Sequence, residues 1–439
     1  MSSSRSTTQP IAVIAGARTP LSKAFTDLAA ISAVDLGTHV VTDVVARAAA
    51  KSESMDISQI DELVMGNVAG PPDAANLARV IALSAGLPKE RIAHTVNRNC
   101  ASGMESIIAA WDSIHAGRAS LVIGGGTESM SQIPMLFRRD AAKNWMRLAR
   151  SKTLWQKLRA LAAFRPRHFK PVAGIQLGLT DPVSGMNMGE TAEVLAREFG
   201  ISRSEQDEFA LLSHERAAAA REKCFLSGEI APITTERGRV VEKDNGPRDG
   251  QSLEQLARLK PLFDSAGSVT AGNSCPLTDG AAALVLSDVA TAERFDRPLG
   301  YITDYCVAGC DPHRMGLGPV YATAKLLEKT GMSLRDFDLI ELNEAFAAQV
   351  IACEIAAASK TFASEELGRS RPLGQLSRDV MNIHGGSIAL GHPVGMTGTR
   401  LVLTLLRALA ERGKRIGLAT LCVGGGQGVA MIVRTQLED

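Results

Sequence analysis

The segment IGLATLCVGGG at residues 416–426 is an apolar run with β-branched side chains that stops at three glycines. A run of that kind, closed by a turn signal, reads as a strand buried on both faces. IAVIAG at 11–16, LVIGGG at 121–126 and AALVLS at 282–287 are similar runs, and long Ala/Leu-rich helical patterns alternate with them. Buried strands covered by helices give an α/β layered architecture. The glycine clusters lie where apolar runs end, so tight backbone turns are expected at both 124–126 and 424–426.

The pattern occurs twice. DELVMGN at 61–67 and DLIELN at 338–343 each give an acid, a short apolar strand and an Asn, followed by a turn of small residues. In each half an Asn-containing turn with Gly or Ser then leads into a helix and a strand ending in GGG. Two similar α/β halves packed face to face explain the repetition, and chance likeness between two common βα units is the competing reading. The expected division is an N-terminal half over 1–130, completed by 276–297, and a C-terminal half over 298–439. Between them, 131–275 mixes Gly, Pro and charge and reads as an inserted loop domain. Within it, Ser202 and Glu205 have capping-box spacing, so a helix of four or five turns is expected from there.

With 439 residues, 45% hydrophobic and 22% charged, the chain has material for a large buried core. Its net charge of +1 conceals an asymmetry: the segment 136–172 holds eleven Lys or Arg against the single Asp140, a local net of +10. The seven cysteines, at 100, 224, 275, 306, 310, 353 and 422, show no pairing pattern, which fits a reduced, cytoplasmic protein. MSSSRSTTQP has no apolar stretch after its Arg, so a short disordered tail is expected rather than a secretory signal. No apolar run approaches the ~18 residues of a membrane-spanning helix.

Four motifs bear polar or thiol groups at strand-to-turn junctions. In VNRNCASGMESI, from Val96, Cys100 precedes small residues that open a helix, a position that favours thiolate. A buried structural cysteine is the other reading. In NIHGGSIALGHPVGMTGTR, from Asn382, paired glycines allow close backbone approach, and His392 stands before a Gly-rich turn, as a base or as a structural histidine. In LATLCVGGGQG, from Leu418, Cys422 ends a strand and the glycines expose amides of the kind that stabilise an oxyanion. In IELNEAFAAQ, from Ile340, Asn343 and Glu344 offer binding or water-orienting groups, and Glu344 alternatively serves as a helix-start carboxylate. Two thiols, an imidazole and an amide are the parts of thioester chemistry, in which a thiol nucleophile needs a base and a carbon leaving group needs a proton.

At these motifs the sequence closely resembles the thiolase family, the acetyl-CoA acyltransferases. The likeness runs over nearly the whole chain, from AVIAGARTP through VNRNCASGMESI, MGETAE, VTAGNSCPLTDGAAA, LNEAFAAQ and GGSIALGHPVGMTGTR to CVGGGQG. It implies a five-layered α/β thiolase fold and 3-ketoacyl-CoA thiolase activity in fatty acid β-oxidation. Cys100 is then the nucleophile, His392 its base and Cys422 the second acid and base. Asn343 positions a water that, with His392, forms one oxyanion hole, and the amides of Cys100 and Gly424 form the other. The implied mechanism is ping-pong and needs no metal or redox cofactor, CoA and acyl-CoA being substrates. For CoA binding the resemblance points to Met188, Arg248 and Cys275. Asn187 replaces a histidine often found beside Met188, and Cys275 stands where many members have serine, which removes a hydroxyl from the expected CoA contacts.

The basic segment resembles the helical insertion of thiolase subunits in multienzyme β-oxidation complexes. Trp145, Leu148, Leu154, Trp155, Leu158 and Leu161 fall at helical spacings among its cations. Docking on a partner hydratase/dehydrogenase subunit, contact with a membrane surface, and a solvated loop that attracts anionic CoA are the three readings. A homo-oligomer, dimer or tetramer, is implied by the fold, and no nucleic-acid partner is expected. The rival activities are acetyl-CoA C-acetyltransfer by the same residues, a non-catalytic lipid-binding relative, and a structural zinc site at Cys100, His384, His392 and Cys422, for which the usual short paired spacings are missing.

Overall fold

The structure is a computed structural model that describes residues 9–437. Residues 1–8, the start of the expected tail, lie outside the described residues. The apolar runs become strands of one large sheet: β1 (Ile11–Arg18), β2 (Glu62–Gly66), β3 (Ile92–Val96), β4 (Leu121–Glu128), β5 (Thr278–Asp288), β6 (Gly300–Gly309), β7 (Leu339–Leu342), β8 (Ile416–Val423) and β9 (Gln427–Arg434). Hydrogen bonding orders them β7-β8-β9-β6-β1-β5-β4-β2-β3, with Ser22–Lys23 added against β5.

The order contains the repeat. Parallel β2 and β4 are followed by antiparallel β5 and β1, and parallel β7 and β8 by antiparallel β9 and β6. DELVMGN and DLIELN therefore supply equivalent strands, β2 and β7. The halves join along a short seam, where Ile11, Ala12 and Val13 pair with Ile302, Tyr301 and Gly300.

The helices that build the layers are α1 (Ala33–Ala49), α2 (Leu77–Ser84), α3 (Ser102–His115), α4 (Arg139–Arg150), α5 (Leu154–Ala162), α6 (Met188–Glu198), α7 (Arg203–Glu222), α8 (Gly318–Thr330), α9 (Ala347–Ala358) and α10 (Thr397–Glu411). Helices α1 and α2 cover one face of the first half-sheet, α8 covers the outer face of the second, and α3 and α10 pack on each other between them. This is the expected five-layer sandwich. Strand periodicity divides the core accordingly: Leu63 and Met65 of β2 join the outer cluster with Val40 and Val44, while Val64 faces the central one with Met104 and Leu401.

Helix α7 starts as expected. Ser202 Oγ accepts from Glu205 N at 3.2 Å, and Glu205 Oε2 accepts from Ser202 N at 2.7 Å. At 20 residues it is longer than anticipated, about five and a half turns. The basic segment folds as a hairpin of α4 and α5 standing on a short antiparallel pair, Met135–Leu136 against Val172–Ala173.

One expectation fails. Gly124, Gly125 and Gly126 do not turn; they lie inside β4, paired with β5. Their role is close approach, since a methyl on Gly126 would collide with the Gly395 carbonyl oxygen and one on Gly125 with that of Ala282. The second cluster does turn, with φ of 88° at Gly425 and 81° at Gly426.

Candidate active site

The motifs converge at the carboxyl ends of the parallel strands, where α/β sheets bind ligands. Cys100 sits in the tight turn between β3 and α3. Asn99 takes a left-handed φ of 45°, which Asn tolerates better than most residues. Ser102 Oγ accepts from Arg98 N at 2.9 Å and donates to Asn99 O at 2.7 Å, which closes the turn. Asn99 Nδ2 donates to Gly424 O at 2.8 Å and ties this turn to the glycine turn after β8. The amides of Gly424 and of Cys100 itself favour the thiolate, but burial outweighs them and pushes the thiol up, with Glu128 adding to the rise. The helix N-terminus alone therefore does not ionise Cys100.

His392 is buried, and its Nδ1 lies 2.6 Å from Thr397 Oγ1. The Thr397 proton goes to Pro393 O at 3.0 Å, so the hydroxyl oxygen must accept from Nδ1–H. That places the imidazole lone pair on Nε2, which has no hydrogen-bond partner among the described residues. Burial lowers the pKa of His392 to about 3, so the ring is neutral. Val394, two residues on, lines the same cleft as Cys100.

Asn343 follows β7, and its backbone N donates to Thr420 O of β8 at 3.0 Å. Ser387 Oγ accepts from Arg400 at 3.1 Å and donates to Asn343 Oδ1 at 2.6 Å, so the amide nitrogen is held on the opposite side, where Nδ2 has no partner among the described residues. Arg400 is itself fixed by Glu341 at 3.2 Å, a carboxylate pushed up to about 8 by burial. Glu344 does not cap the helix that begins at Ala347. It is buried, accepts from Ser213, Asn382 and the Ile388 amide, and fastens the segment that carries Ser387.

Cys422 is buried near the end of β8, and burial first, then Cys100 and other neighbouring thiols, hold its pKa well above the ordinary value. Cys275 belongs to the same group: its amide donates to Ala345 O at 3.0 Å, and burial together with Cys100 pushes its thiol up to about 12. His384 is apart from them, stacked on Phe225 with ring centroids 3.7 Å apart and paired with Glu411 at 2.8 Å. Among the described residues no cluster of three or more His, Cys, Asp or Glu is arranged to hold a metal ion.

Cys100, Gly424 and Met188 line a cavity of about 540 Å³. Apolar side chains of Ile133, Leu136, Ile175, Leu177 and Leu179, from the base of the hairpin and the segment after it, form much of its wall. Arg248 is off this wall, exposed, with its amide donating to His214 Nδ1 at 3.2 Å. Asn187 caps α6: its Oδ1 accepts from Gly189 N at 3.0 Å, and its own N donates to Glu190 at 2.6 Å, a local job that histidine does less well.

Thr397, Ser387, Arg400 and Glu128 were not singled out by sequence. Thr397 and Ser387 stand in the quoted motif, five residues either side of His392, but hydroxyls there read as ordinary turn residues. Glu128 directly follows the run Gly124–Thr127 and carried no signal.

Known proteins fit this arrangement over its full length. The model of the thiolase N-terminal domain matches residues 11–290 and that of the C-terminal domain residues 296–435. The chain is 39% identical over 430 residues to the 3-ketoacyl-CoA thiolase of Yersinia enterocolitica and 40% identical over 431 residues to that of Yersinia pestis, covering 97% of both partners in each case. Its fold superposes on the Bacillus anthracis acetyl-CoA acetyltransferase with a TM-score of 0.84 at 37% identity, covering 98% of this chain and 99% of that one. Human mitochondrial 3-ketoacyl-CoA thiolase in complex with CoA gives 0.83 at 34% identity with the same coverage. The chain belongs to the thiolase family and is an acyltransferase.

Proposed function

We propose that this chain is a 3-ketoacyl-CoA thiolase, cleaving 3-ketoacyl-CoA with CoA to acetyl-CoA and a shortened acyl-CoA in fatty acid β-oxidation. The observation that carries the reading is the pair of buried, unpartnered polar atoms, His392 Nε2 and Asn343 Nδ2, each fixed from behind by a hydroxyl. A lone pair and an N–H held ready without a protein partner suit a bound water and a transferred proton.

His392 Nε2 takes the proton of Cys100, and the thiolate attacks the 3-keto carbon of the substrate. The C2–C3 bond breaks, its electron pair goes to C2, and the Cys422 thiol protonates that carbon to release acetyl-CoA. CoA then gives its thiol proton to the Cys422 thiolate and attacks the acyl-thioester. Cys100 leaves as thiolate and recovers its proton from His392. The Cys100 and Gly424 amides, already at the sulfur, serve one oxyanion, and a water between Asn343 and His392 serves the other. No resident metal or redox group is required, because sulfur supplies the covalent intermediate. Met188 lines the cleft along which a pantetheine arm would run, and Cys275 sits beside the thiol group.

The apolar cleft walls favour acyl chains longer than four carbons, since each buried CH2 contributes ~0.8 kcal/mol. Acetyl-CoA C-acetyltransfer is the second reading, favoured by the likeness to acetyltransferases. Intact-protein mass spectrometry after incubation with 3-ketoacyl-CoAs of rising length decides between them. An adduct series extending past four carbons, absent in Cys100→Ala, is expected; adducts confined to the four-carbon substrate would overturn the choice.

Two surfaces support assembly. Edge strand β3 leaves Ile92 62% exposed, which suits pairing with a second copy. The hairpin exposes Leu154 and Trp155 beside its basic row, which suits a partner subunit or an anionic lipid surface. Deleting 140–170 with both co-purification and vesicle binding unchanged would remove the second surface.

A further inference from the structure

Glu128, the last residue of β4, is 1% exposed and has no part in the reaction above. Its carboxylate accepts four N–H donors. Oε1 takes Asn67 Nδ2 at 3.0 Å and Ala69 N at 3.1 Å; Oε2 takes Val68 N and Gly395 N, both at 3.0 Å. An acid surrounded only in this way by donors is suited to the ionised, acceptor-only form, although burial raises its pKa to about 7.

The donors come from two turns in different halves of the molecule. Residues 67–69 follow β2, and Gly395 lies three residues beyond His392. Val68 and Ala69 on one side and Val394 on the other line the cleft at Cys100. The clasp has no slack: a Cβ on Gly395 would stand 2.6 Å from Glu128 Oε2 and 3.0 Å from Asn67 Cα.

We propose that Glu128 is a positioning residue of this active site, its carboxylate pinning the turn that carries His392 to the turn after β2 and so fixing the imidazole relative to Cys100. This rests on the joint action of Cys100 and His392 argued above. The same carboxylate lies close enough to Cys100 to oppose its ionisation; the other groups facing that sulfur are the Gly424 and Cys100 amides and the thiols of Cys275 and Cys422.

The test pairs two variants of the full chain. Glu128→Gln keeps the size of the side chain but sets an NH2 against N–H donors and removes the charge. Gly395→Ala pries the clasp from the other side and leaves the charge in place. Both should lower kcat by ~10- to 100-fold with KM within ~3-fold, the scale expected of a misplaced catalytic group. Glu128→Gln should also move the pH midpoint of Cys100 alkylation by iodoacetamide downward, while Gly395→Ala leaves it in place. Wild-type kcat in both variants overturns the proposal. So does a loss of activity that only tracks the folded fraction, with the Glu128→Gln alkylation midpoint unmoved. Alkylation needs no substrate, so wild-type protein without thiolytic turnover would sink the assigned reaction, whereas either of the two outcomes just named would sink only the role of Glu128. If Glu128→Gln does not fold, Gly395→Ala still decides through kcat.

Discussion

Ser387 donates its hydroxyl to Oδ1 of Asn343 at 2.6 Å, and that one bond orients the amide whose nitrogen has no partner among the described residues. Ser387→Ala leaves Asn343 free to flip about its terminal torsion and leaves Arg400 one acceptor short. We expect kcat to fall by ~10²-fold, at the lower end for loss of an oxyanion donor, with KM changed little. Steady-state thiolysis checks this, and wild-type kcat would exclude the orienting role.

Thr397 does for His392 what Ser387 does for Asn343. Thr397→Val is nearly isosteric but offers no oxygen to Nδ1–H. A buried N–H then goes unsatisfied, costing ~1–3 kcal/mol, and the tautomer with its lone pair on Nε2 loses its advantage. The expected result in steady-state thiolysis is a kcat lower by ~10²-fold or more, with alkylation of Cys100 slowed because its proton acceptor is weakened; wild-type kcat would exclude the role of Thr397.

Gly126 in β4 faces the Gly395 carbonyl with no room for a methyl. Gly126→Ala therefore overpacks the contact between the two halves and should cost at least ~1–3 kcal/mol of stability. Denaturant titration measures it. A variant as stable as wild type would mean that the glycine serves some purpose other than close approach.

His214 gives a pH signature. Burial first, then Arg248 and Lys23, lower its pKa from 6.5 to about 4. Between those values the unfolded chain binds more protons at this site than the folded one, so the stability present above pH 6.5 is lost as pH falls toward 4. The difference in thermal midpoint between His214→Asn and wild type should shift in the variant's favour across that window. A constant difference would show that His214 does not titrate this way.

What sequence could and could not foretell divides along the distance between partners. β2, β7, β8 and the α7 cap depend on neighbours a few residues away, and their signals are local. The glycines at 124–126 and 424–426 look alike in sequence but differ in structure. Gly125 and Gly126 are demanded by carbonyls of Ala282 and Gly395, more than 150 residues on; Gly425 and Gly426 by a sharp turn. Cys100, His392, Cys422 and Asn343 draw notice as thiol or polar groups at turn junctions, each ambiguous alone, and the resemblance to thiolases is what gives them roles. Thr397, Ser387 and Glu128 use common side chains whose meaning comes only from what they touch.

The short seam between β1 and β6 gives the chain a particular kind of vulnerability. Only three residues of each strand pair across the seam, and the buried helices α3 and α10 make a second contact between the halves. Cys100, the proposed nucleophile, is mounted at the start of one of these helices, and His392 on the turn that opens the other. Turnover is thus a gauge of how well two half-molecules dock, and gentle denaturation should silence the enzyme while each half still keeps its own strands and helices.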